Sequence, residues 1–264
     1  MTAPSMPDAQ LSLWQRVMRR LGHAMDYRWL HWHRLGEHQQ ADYLRRLFDR
    51  LDIDLVIDVG ANRGQYADFI RRRVGYRGEM VSFEPIPALA RDLKQRGERD
   101  AKWSVHACAL GARAETRPFH VVQSSPMSSL LTPSTEATSR LSDFTTVRET
   151  LEINVDTLDA ALTSFPHSRN VYLKLDVQGY ERQVLDGAIA SMPRIAALQA
   201  ELSVVPMYEG QPHYLDLMTH IESLGYVPSL IPAHDAKFFP LLIDFDCHFV
   251  SRQRLADLGV LNRA

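Results

Sequence analysis

The chain has 264 residues, of which 45% are apolar and 23% are charged, as is typical of globular domains. Its net charge of −2 provides no overall basic field, so we expect no nucleic-acid partner. No apolar run approaches the roughly 20 residues of a transmembrane segment, and the first ten residues lack the apolar core of a signal peptide. We therefore expect a cytoplasmic protein. Cys108 and Cys247 have no C-x-x-C neighbour and are expected to be reduced thiols.

Residues 1–45 are predicted to form an N-terminal helical extension, followed by the main domain at residues 46–264. Apolar side chains recur at spacings of three and four between Leu11 and Met25, which marks one face of a helix. Arginines, and tryptophans such as Trp14, accompany that face. A basic helix with aromatic side chains is able to lie peripherally on a membrane surface. The alternatives are packing on the edge of the sheet and a homodimer contact.

From residue 54 onward, short apolar runs alternate with amphipathic stretches. We predict strands at Leu55–Val59, Met80–Phe83, Trp103–Leu110, Arg117–Val122, Val171–Leu175, Ala197–Leu202, Val227–Ile231 and Phe245–Val250. We predict helices at Tyr43–Leu51, Tyr66–Arg73, Ala88–Arg96, Glu181–Ser191 and Leu215–Leu224. This alternation indicates a doubly wound α/β fold with a mostly parallel sheet. The last two strands have no helix between them, so an antiparallel edge is expected. The Ser- and Thr-rich stretch Gln123–Thr150 is predicted to be a lid or partner surface.

The first predicted strand leads directly into a glycine-bearing turn, Asp58-Val59-Gly60-Ala61-Asn62-Arg63-Gly64-Gln65-Tyr66. Ligands of open α/β sheets bind at the carboxyl ends of the strands, where this turn lies. Gly60 and Gly64 allow a sharp turn and close approach to a ligand, and Asp58 is placed to engage the ligand's amine end. The glycines also suit an ordinary turn with no ligand.

Glu84 ends the next strand, where an acidic residue is able to accept both hydroxyls of a ribose. The glycine spacing is not that of the dinucleotide fingerprint G-x-G-x-x-G, and a P-loop would require G-K-[ST]. The turn is therefore poorly suited to a phosphate and better suited to a phosphate-free adenosyl ligand.

Together with this turn, five later motifs resemble those of the FkbM-type methyltransferases. They are VSFEPIP, CALG, SSL, VDTLDAAL and LKLDVQGYERQVLDGA, and the resemblance spans about residues 45–250. It implies a class I, Rossmann-like domain with a seven-stranded sheet that uses S-adenosylmethionine, mostly to methylate hydroxyl groups. The cofactor residues implied by it are Asp58, Gly60, Ala61, Asn62, Gly64, Tyr66, Glu84, Pro85, Ala109 and Ser129. Gln178 stands where family members commonly have Glu, so no catalytic charge is expected there.

Methylation of an alcohol requires a base or a metal ion to assist removal of the hydroxyl proton. Asp176 ends a predicted strand, Glu201 lies near the end of the next, and His213 follows in a loop, so all three are catalytic candidates. Asp176, Glu201 and Asp246 are also candidate ligands for Mg²⁺, which prefers oxygen. The alternatives are a helix cap for Asp176, a hydrogen bond within the sheet for Glu201, and a surface position for His213.

The sequence thus favours an O-methyltransferase that acts on a hydroxyl of a sugar, a glycolipid, or a glycosylated or polyketide natural product. Two alternatives keep the cofactor. One transfers the methyl group to nitrogen or to a carboxylate, and the other is a non-catalytic cofactor-binding subunit that acts through a protein partner.

Overall fold

The computed structural model of the protein describes residues 35–123, 125–134, 146–233 and 240–262. The strands within these ranges are β1 (Leu55–Val59), β2 (Glu79–Phe83), β3 (Trp103–His106), β4 (Ala109–Leu110), β5 (Glu115–Val122), β6 (Val147–Asp156), β7 (Val171–Leu175), β8 (Ile195–Ser203), β9 (Tyr226–Leu230) and β10 (Asp244–Ser251). The helices are α1 (Leu35–Arg50), α2 (Gln65–Phe69, extended by a π-helical turn at Ile70–Val74), α3 (Pro87–Gly97), α4 (Leu158–Ala161), α5 (Glu181–Asp186), α6 (Tyr214–Ser223) and α7 (Arg252–Asp257).

Seven strands form one large sheet in the order β3-β2-β1-β7-β8-β10-β9. The neighbouring pairs from β3 to β8 are parallel, whereas β10 runs antiparallel to both β8 and β9. This confirms the mostly parallel, doubly wound prediction, with the antiparallel strand one position in from the edge. The strand order reverses between β1 and β7, so a crevice opens there at the carboxyl ends, where such sheets bind ligands.

Helices cover both faces of the large sheet. Leu55 and Ile57 of β1 face one layer, which includes Leu158 and Leu185, and their neighbour Val56 faces the other, which includes Leu44. Every residue of β1 and β7 is buried, which explains why both strands are nearly continuous apolar runs in the sequence.

A second, three-stranded sheet with the order β4-β6-β5 adjoins the large one and was not predicted. The single strand predicted at Trp103–Leu110 divides in two, because β3 pairs with β2 whereas β4 pairs with β6. The predicted strand Arg117–Val122 belongs to β5, which pairs with β6 rather than with β3. The predicted loop Gln123–Thr150 overlaps β6, which begins at Val147.

Helix α1 includes all of the predicted helix Tyr43–Leu51 except its last residue, and it packs Leu44 and Phe48 against the large sheet. The predicted boundary between residues 45 and 46 falls inside α1. The predicted helix from Leu11 to Met25, with Trp14, and most of the connection from 234 to 240 lie outside the described residues. No helix in the described part of the chain is long and apolar enough to cross a membrane.

Candidate functional site

A cavity of about 470 Å³ opens at the carboxyl ends of β1, β2, β7 and β8. Its volume lies in the range typical of small-molecule sites. The predicted site residues that line it are Gly60, Ala61, Asn62, Tyr66, Glu84, Pro85, Ala109, Asp176, Glu201 and Asp246. The structure therefore brings the predicted cofactor turn and the predicted carboxylates together at one site.

The turn after β1 is held by backbone hydrogen bonds to the neighbouring strand. The amides of Gly60 and Ala61 donate to the carbonyl of Phe83, over 3.0 and 3.1 Å. Gly60 has a φ of +83°, and a Cβ atom built on it would lie 1.9 Å from the backbone oxygen of Asp176. Glycine is required here because two chain segments meet, so the close approach is to protein as well as to the cavity.

Gly64 has a different role from the one that its spacing indicated. Its φ is +77°, and a Cβ atom would lie 2.8 Å from side-chain atoms of Leu93 and Arg96 on α3. Gly64 does not line the cavity. It allows α2 to begin close against α3 and so fixes the direction in which the turn leaves β1.

Glu84 is 4% exposed, and both of its carboxylate oxygens accept backbone hydrogen bonds. The amide of Asn62 donates to Oε2 over 2.7 Å, and that of Ile86 donates to Oε1 over 2.8 Å. Burial raises the pKa of Glu84 to about 7. Each carboxylate oxygen keeps a second lone pair, so this fixed side chain on the cavity wall is able to accept hydroxyl hydrogens.

Apolar side chains line the cavity near Glu84. Ile86 follows it in the chain, and Leu110, Phe119 and Leu130 come from the small sheet and the segment beside it. Such a surface suits a flat aromatic ring, because it removes the ring faces from water. The unpredicted small sheet therefore supplies a wall of the site.

A row of buried polar side chains, which sequence reasoning missed, crosses the large sheet beneath the cavity. The strand register places Asp58, Lys174, Gln199 and His248 side by side on β1, β7, β8 and β10. Their exposed fractions are 0%, 5%, 4% and 0% respectively. The available signal was a lysine within the otherwise apolar run of β7, since buried lysines normally have charged partners.

Lys174 is the only cation among the cavity-lining residues that the structure describes. Its Nζ lies 3.1 Å from Oδ1 of Asp58 and 3.3 Å from Oδ2 of Asp176, and it donates to the carbonyl of Gly60 over 3.2 Å. The two carboxylates raise the pKa of Lys174 although burial opposes this, so the side chain remains charged. The charged side chain of Lys174 therefore connects Asp58 and Gly60, at the turn after β1, to Asp176 at the end of β7.

Asp176 and Glu201 are joined by the side chain of Gln178. The Nε2 of Gln178 donates to Oδ1 of Asp176 over 3.1 Å and to Oε2 of Glu201 over 2.8 Å. Burial and the charge of Asp176 raise the pKa of Glu201 well above its usual range. Glu201 also stands opposite Asp246 on β10, and burial raises the pKa of Asp246. This part of the site therefore has three acidic side chains, and the amide of Gln178 bridges two of them, Asp176 and Glu201.

Besides Gly64, three predicted site residues do not line the cavity. Asp58 is wholly buried beside Lys174 and Ser82, so it cannot engage a ligand directly. The hydroxyl of Ser129 is also buried and donates to the carbonyl of Gln178 over 2.8 Å. His213 lies immediately before α6 with its ring against the next residue. The direction of these side chains depends on pairing between distant segments, which spacing along the chain does not show.

The predicted metal site is not supported by the geometry of its residues. No group of three or more His, Cys, Asp or Glu residues suited to a metal ion occurs in the described ranges. The hydrogens of the Gln178 amide point between Asp176 and Glu201, where a bridging cation would have to bind. An amide nitrogen cannot be a Mg²⁺ ligand, because Mg²⁺ binds oxygen.

Comparison with known proteins identifies the family of this chain. Residues 58–228, more than half of the chain, match the family model described as the methyltransferase FkbM domain. No curated protein matches the sequence.

Among solved structures, FkbM methyltransferase from Methylobacillus flagellatus is 18% identical with a TM-score of 0.49, covering 75% of this chain and 44% of that one. The chain thus spans less than half of that protein. Magnesium protoporphyrin IX methyltransferase from Synechocystis is 10% identical with a TM-score of 0.44, covering 95% and 100%. An O-methyltransferase from Bacillus cereus is 10% identical with a TM-score of 0.43, covering 89% and 90%.

The match over residues 58–228 includes the turn after β1, Glu84, the Gln178 bridge and both carboxylates that it joins. The large sheet has the mostly parallel seven-stranded architecture of class I S-adenosylmethionine-dependent methyltransferases. This chain belongs to the FkbM methyltransferase family.

Proposed function

We propose that the protein is an S-adenosylmethionine-dependent O-methyltransferase that acts on a hydroxyl of a sugar, a glycolipid, or a glycosylated or polyketide natural product. The observation that carries this proposal is the position of Asp176. Its carboxylate borders the same cavity as Glu84, and its side chain is 40% exposed although Lys174 and Gln178 hold both of its oxygens. A fixed, accessible carboxylate is what an alcohol acceptor requires.

The cavity fits the cofactor at its β1–β2 side. Glu84, Ile86, Leu110 and Phe119 line this side. The carboxylate of Glu84 would accept the two ribose hydroxyls, and the three apolar side chains would cover the adenine. Gly60 and Asn62 line the wall that would face the amino-acid end. When bound, S-adenosylmethionine supplies an electrophilic methyl group. The chain's residues have to bind the acceptor, exclude water and receive one proton.

The transfer needs the acceptor oxygen about 3 Å from the methyl carbon and in line with the bond that breaks. The acceptor's O–H bond breaks as its O–CH₃ bond forms, and the proton passes to the carboxylate of Asp176. The bound cofactor would supply the methyl group and would leave as S-adenosylhomocysteine, so the other product would be the methyl ether. Burial and the negative charge of Asp176 raise the pKa of Glu201, so its carboxyl group takes up a proton more readily than a free glutamate does.

The remaining wall supports a hydroxylated acceptor. Glu37 and Gln40 of α1 and Gln65 of α2 contribute polar groups to the cavity, and the aromatic rings of Tyr66 and Phe69 line it too. Polar side chains are able to bond hydroxyl groups, and aromatic rings cover the apolar face of a ring-shaped molecule.

The experiment incubates the protein with S-adenosylmethionine labelled in its methyl group and a panel of deoxysugars, glycolipids, amines and carboxylic acids. We expect label in a methyl ether of a sugar-containing acceptor, identified by mass spectrometry. Label in an amine, or in an ester released by mild base, would contradict the O-methyl assignment. Binding of S-adenosylhomocysteine without transfer to any acceptor would favour the non-catalytic subunit.

A further inference from the structure

The Gln178 side chain contacts three residues that lie far apart in the sequence. Its Nε2 donates to Asp176 and to Glu201, and its Oε1 lies 3.2 Å from the hydroxyl oxygen of Tyr208. The two carboxylate acceptors on one side determine which end of the amide carries the hydrogens. All the hydrogens of the amide are therefore used in these contacts.

The backbone at this position is strained, which indicates that the side-chain contacts hold it in place. Gln178 has a φ of +54°, and Gly179 follows with a φ of +95°. A left-handed conformation costs a residue other than glycine about 1 kcal/mol or more. The carboxylate of Glu181 accepts the amides of Val177 and Gly179, over 3.0 and 3.3 Å, and fixes the turn from the other side.

The same residue connects the carboxylates to the segment that forms a wall of the cavity. The carbonyl of Gln178 accepts the hydroxyl of Ser129 over 2.8 Å, and the hydroxyl of Tyr208 contacts the carbonyl of Met127 over 2.5 Å. Tyr208 is 3% exposed, and it does not line the cavity. Gln178 is thus the point at which β7, β8 and the segment around Ser129 meet.

Asp176 is consequently held on both oxygens by groups of different charge. Gln178 binds Oδ1 as a neutral donor, and Lys174 lies 3.3 Å from Oδ2 as a cation. A neutral donor between two carboxyl groups orients them but attracts their negative charge less strongly than a metal ion would. Asp176 is therefore still able to take up a proton.

We propose that Gln178 is a positioning residue whose amide clamps Asp176 and Glu201 in one fixed arrangement, in the place where a bridging cation would otherwise bind. This rests on the proposed function in one respect, the role of Asp176 as proton acceptor. The contacts that form the clamp do not depend on that role, and a separate measurement tests them.

The activity test replaces Gln178 with Leu, which has similar size and no hydrogen-bond donors. Misplacement of a catalytic group by about 1 Å is enough to lower a rate about 100-fold. We expect Gln178→Leu to lower kcat about 100-fold, with the affinity for S-adenosylhomocysteine unchanged within about twofold. Gln95→Leu, the same change on the exposed side of α3, is the matched control. Wild-type kcat in Gln178→Leu would overturn the proposal.

Two further variants test whether Gln178 acts through its partners. In an Asp176→Asn background, Gln178→Leu should cause little additional loss of kcat, because the group that it positions has lost its function. Tyr208→Phe removes the hydroxyl that supports the amide and should lower kcat less than Gln178→Leu does. If the loss of kcat in the double variant equals the product of the two single losses, Gln178 acts independently of Asp176. That result would overturn the proposal.

Nuclear magnetic resonance provides a measurement that needs no turnover. In ¹⁵N-labelled protein, the two Nε2 hydrogens of Gln178 should exchange slowly with solvent, and their signals should disappear in Gln178→Leu. In Glu201→Gln they should exchange faster. If these signals are present while no acceptor is methylated, the clamp stands and the proposed function fails. If the protein methylates a hydroxyl but the hydrogens exchange freely in the wild type, the clamp is wrong and the proposed function stands.

Discussion

The two sides of the cavity are built in different ways. On the β1–β2 side, residues near one another in the sequence are fixed by backbone hydrogen bonds, such as those from Asn62 and Ile86 to Glu84. On the β7–β8–β10 side, Asp176, Glu201 and Asp246 come from separate strands and depend on buried side-chain contacts. The first arrangement suits a ligand that is always the same, such as a cofactor. In the second arrangement, a few substitutions are able to change the reaction.

The largest effect is expected at the acceptor side. Asp176→Asn removes the proposed proton acceptor, and loss of a general base typically lowers a rate by 10²–10⁴-fold, so we expect kcat to fall about 10³-fold. Glu201→Gln should also abolish most turnover. The affinity for S-adenosylhomocysteine, measured by calorimetry, should change much less in both variants. Asp92→Asn, on the exposed side of α3, is the control. Near-wild-type turnover in both variants would remove these carboxyl groups from the mechanism.

The next effect is on stability and concerns the link between the two sides. Lys174→Met leaves Asp58 buried without its cation, and breaking a buried ion pair typically costs about 3 kcal/mol or more. We expect a loss of this size in the free energy of unfolding, measured with urea. The double variant Asp58→Asn with Lys174→Met should recover part of the loss, because no unpaired buried charge remains. Equal stabilities of Lys174→Met and the wild type would show that this pair does not support the fold.

A smaller effect is expected at Glu84, on cofactor affinity. Hydrogen bonds to charged groups contribute about 1.5–3 kcal/mol, so Glu84→Gln should weaken S-adenosylhomocysteine binding about 10- to 100-fold. The pKa of Glu84 is raised to about 7 in the free protein, and the ionised form accepts the ribose hydroxyls. Wild-type affinity should therefore be highest above pH 7 and fall below pH 7 towards the affinity of Glu84→Gln.

In Glu84→Gln, the affinity should lose this dependence between pH 8 and pH 6. The same pH dependence in the variant as in the wild type would assign it to another group.

No effect is expected from chelation. Gln178 donates hydrogens into the space between Asp176 and Glu201, so the site has no place for a bridging cation. Exhaustive treatment with EDTA should leave kcat unchanged, in an assay that compares treated and untreated protein. Loss of activity that added Mg²⁺ restores would contradict this description of the carboxylate side.

The sequence was informative on the side of the cavity where partners are local. The strand β1, the turn with Gly60 and the carboxylate of Glu84 follow one another closely, so spacing alone predicted their meeting. The mostly parallel sheet was predicted for the same reason, since alternation of strand and helix is a local pattern. The role of Gly64 was different, because its neighbours on α3 lie outside that local pattern.

Spacing was insufficient where side-chain direction depends on distant strands. The run Trp103–Leu110 reads as one strand, but its two parts pair with different sheets. His213 follows Glu201 closely in the chain, yet it lies immediately before α6 and does not line the cavity. Lys174 was overlooked because its partner Asp58 is adjacent only through the register of β1 and β7. The bridge by Gln178 likewise needs the pairing of β7 with β8.

Calorimetric titration with S-adenosylhomocysteine tests most directly the central claim that this cavity binds the methyl donor. One molecule should bind per chain, with near-wild-type affinity in Asp176→Asn and weakened affinity in Glu84→Gln. Absence of binding to the wild-type protein at pH 8, where Glu84 is ionised, would contradict it.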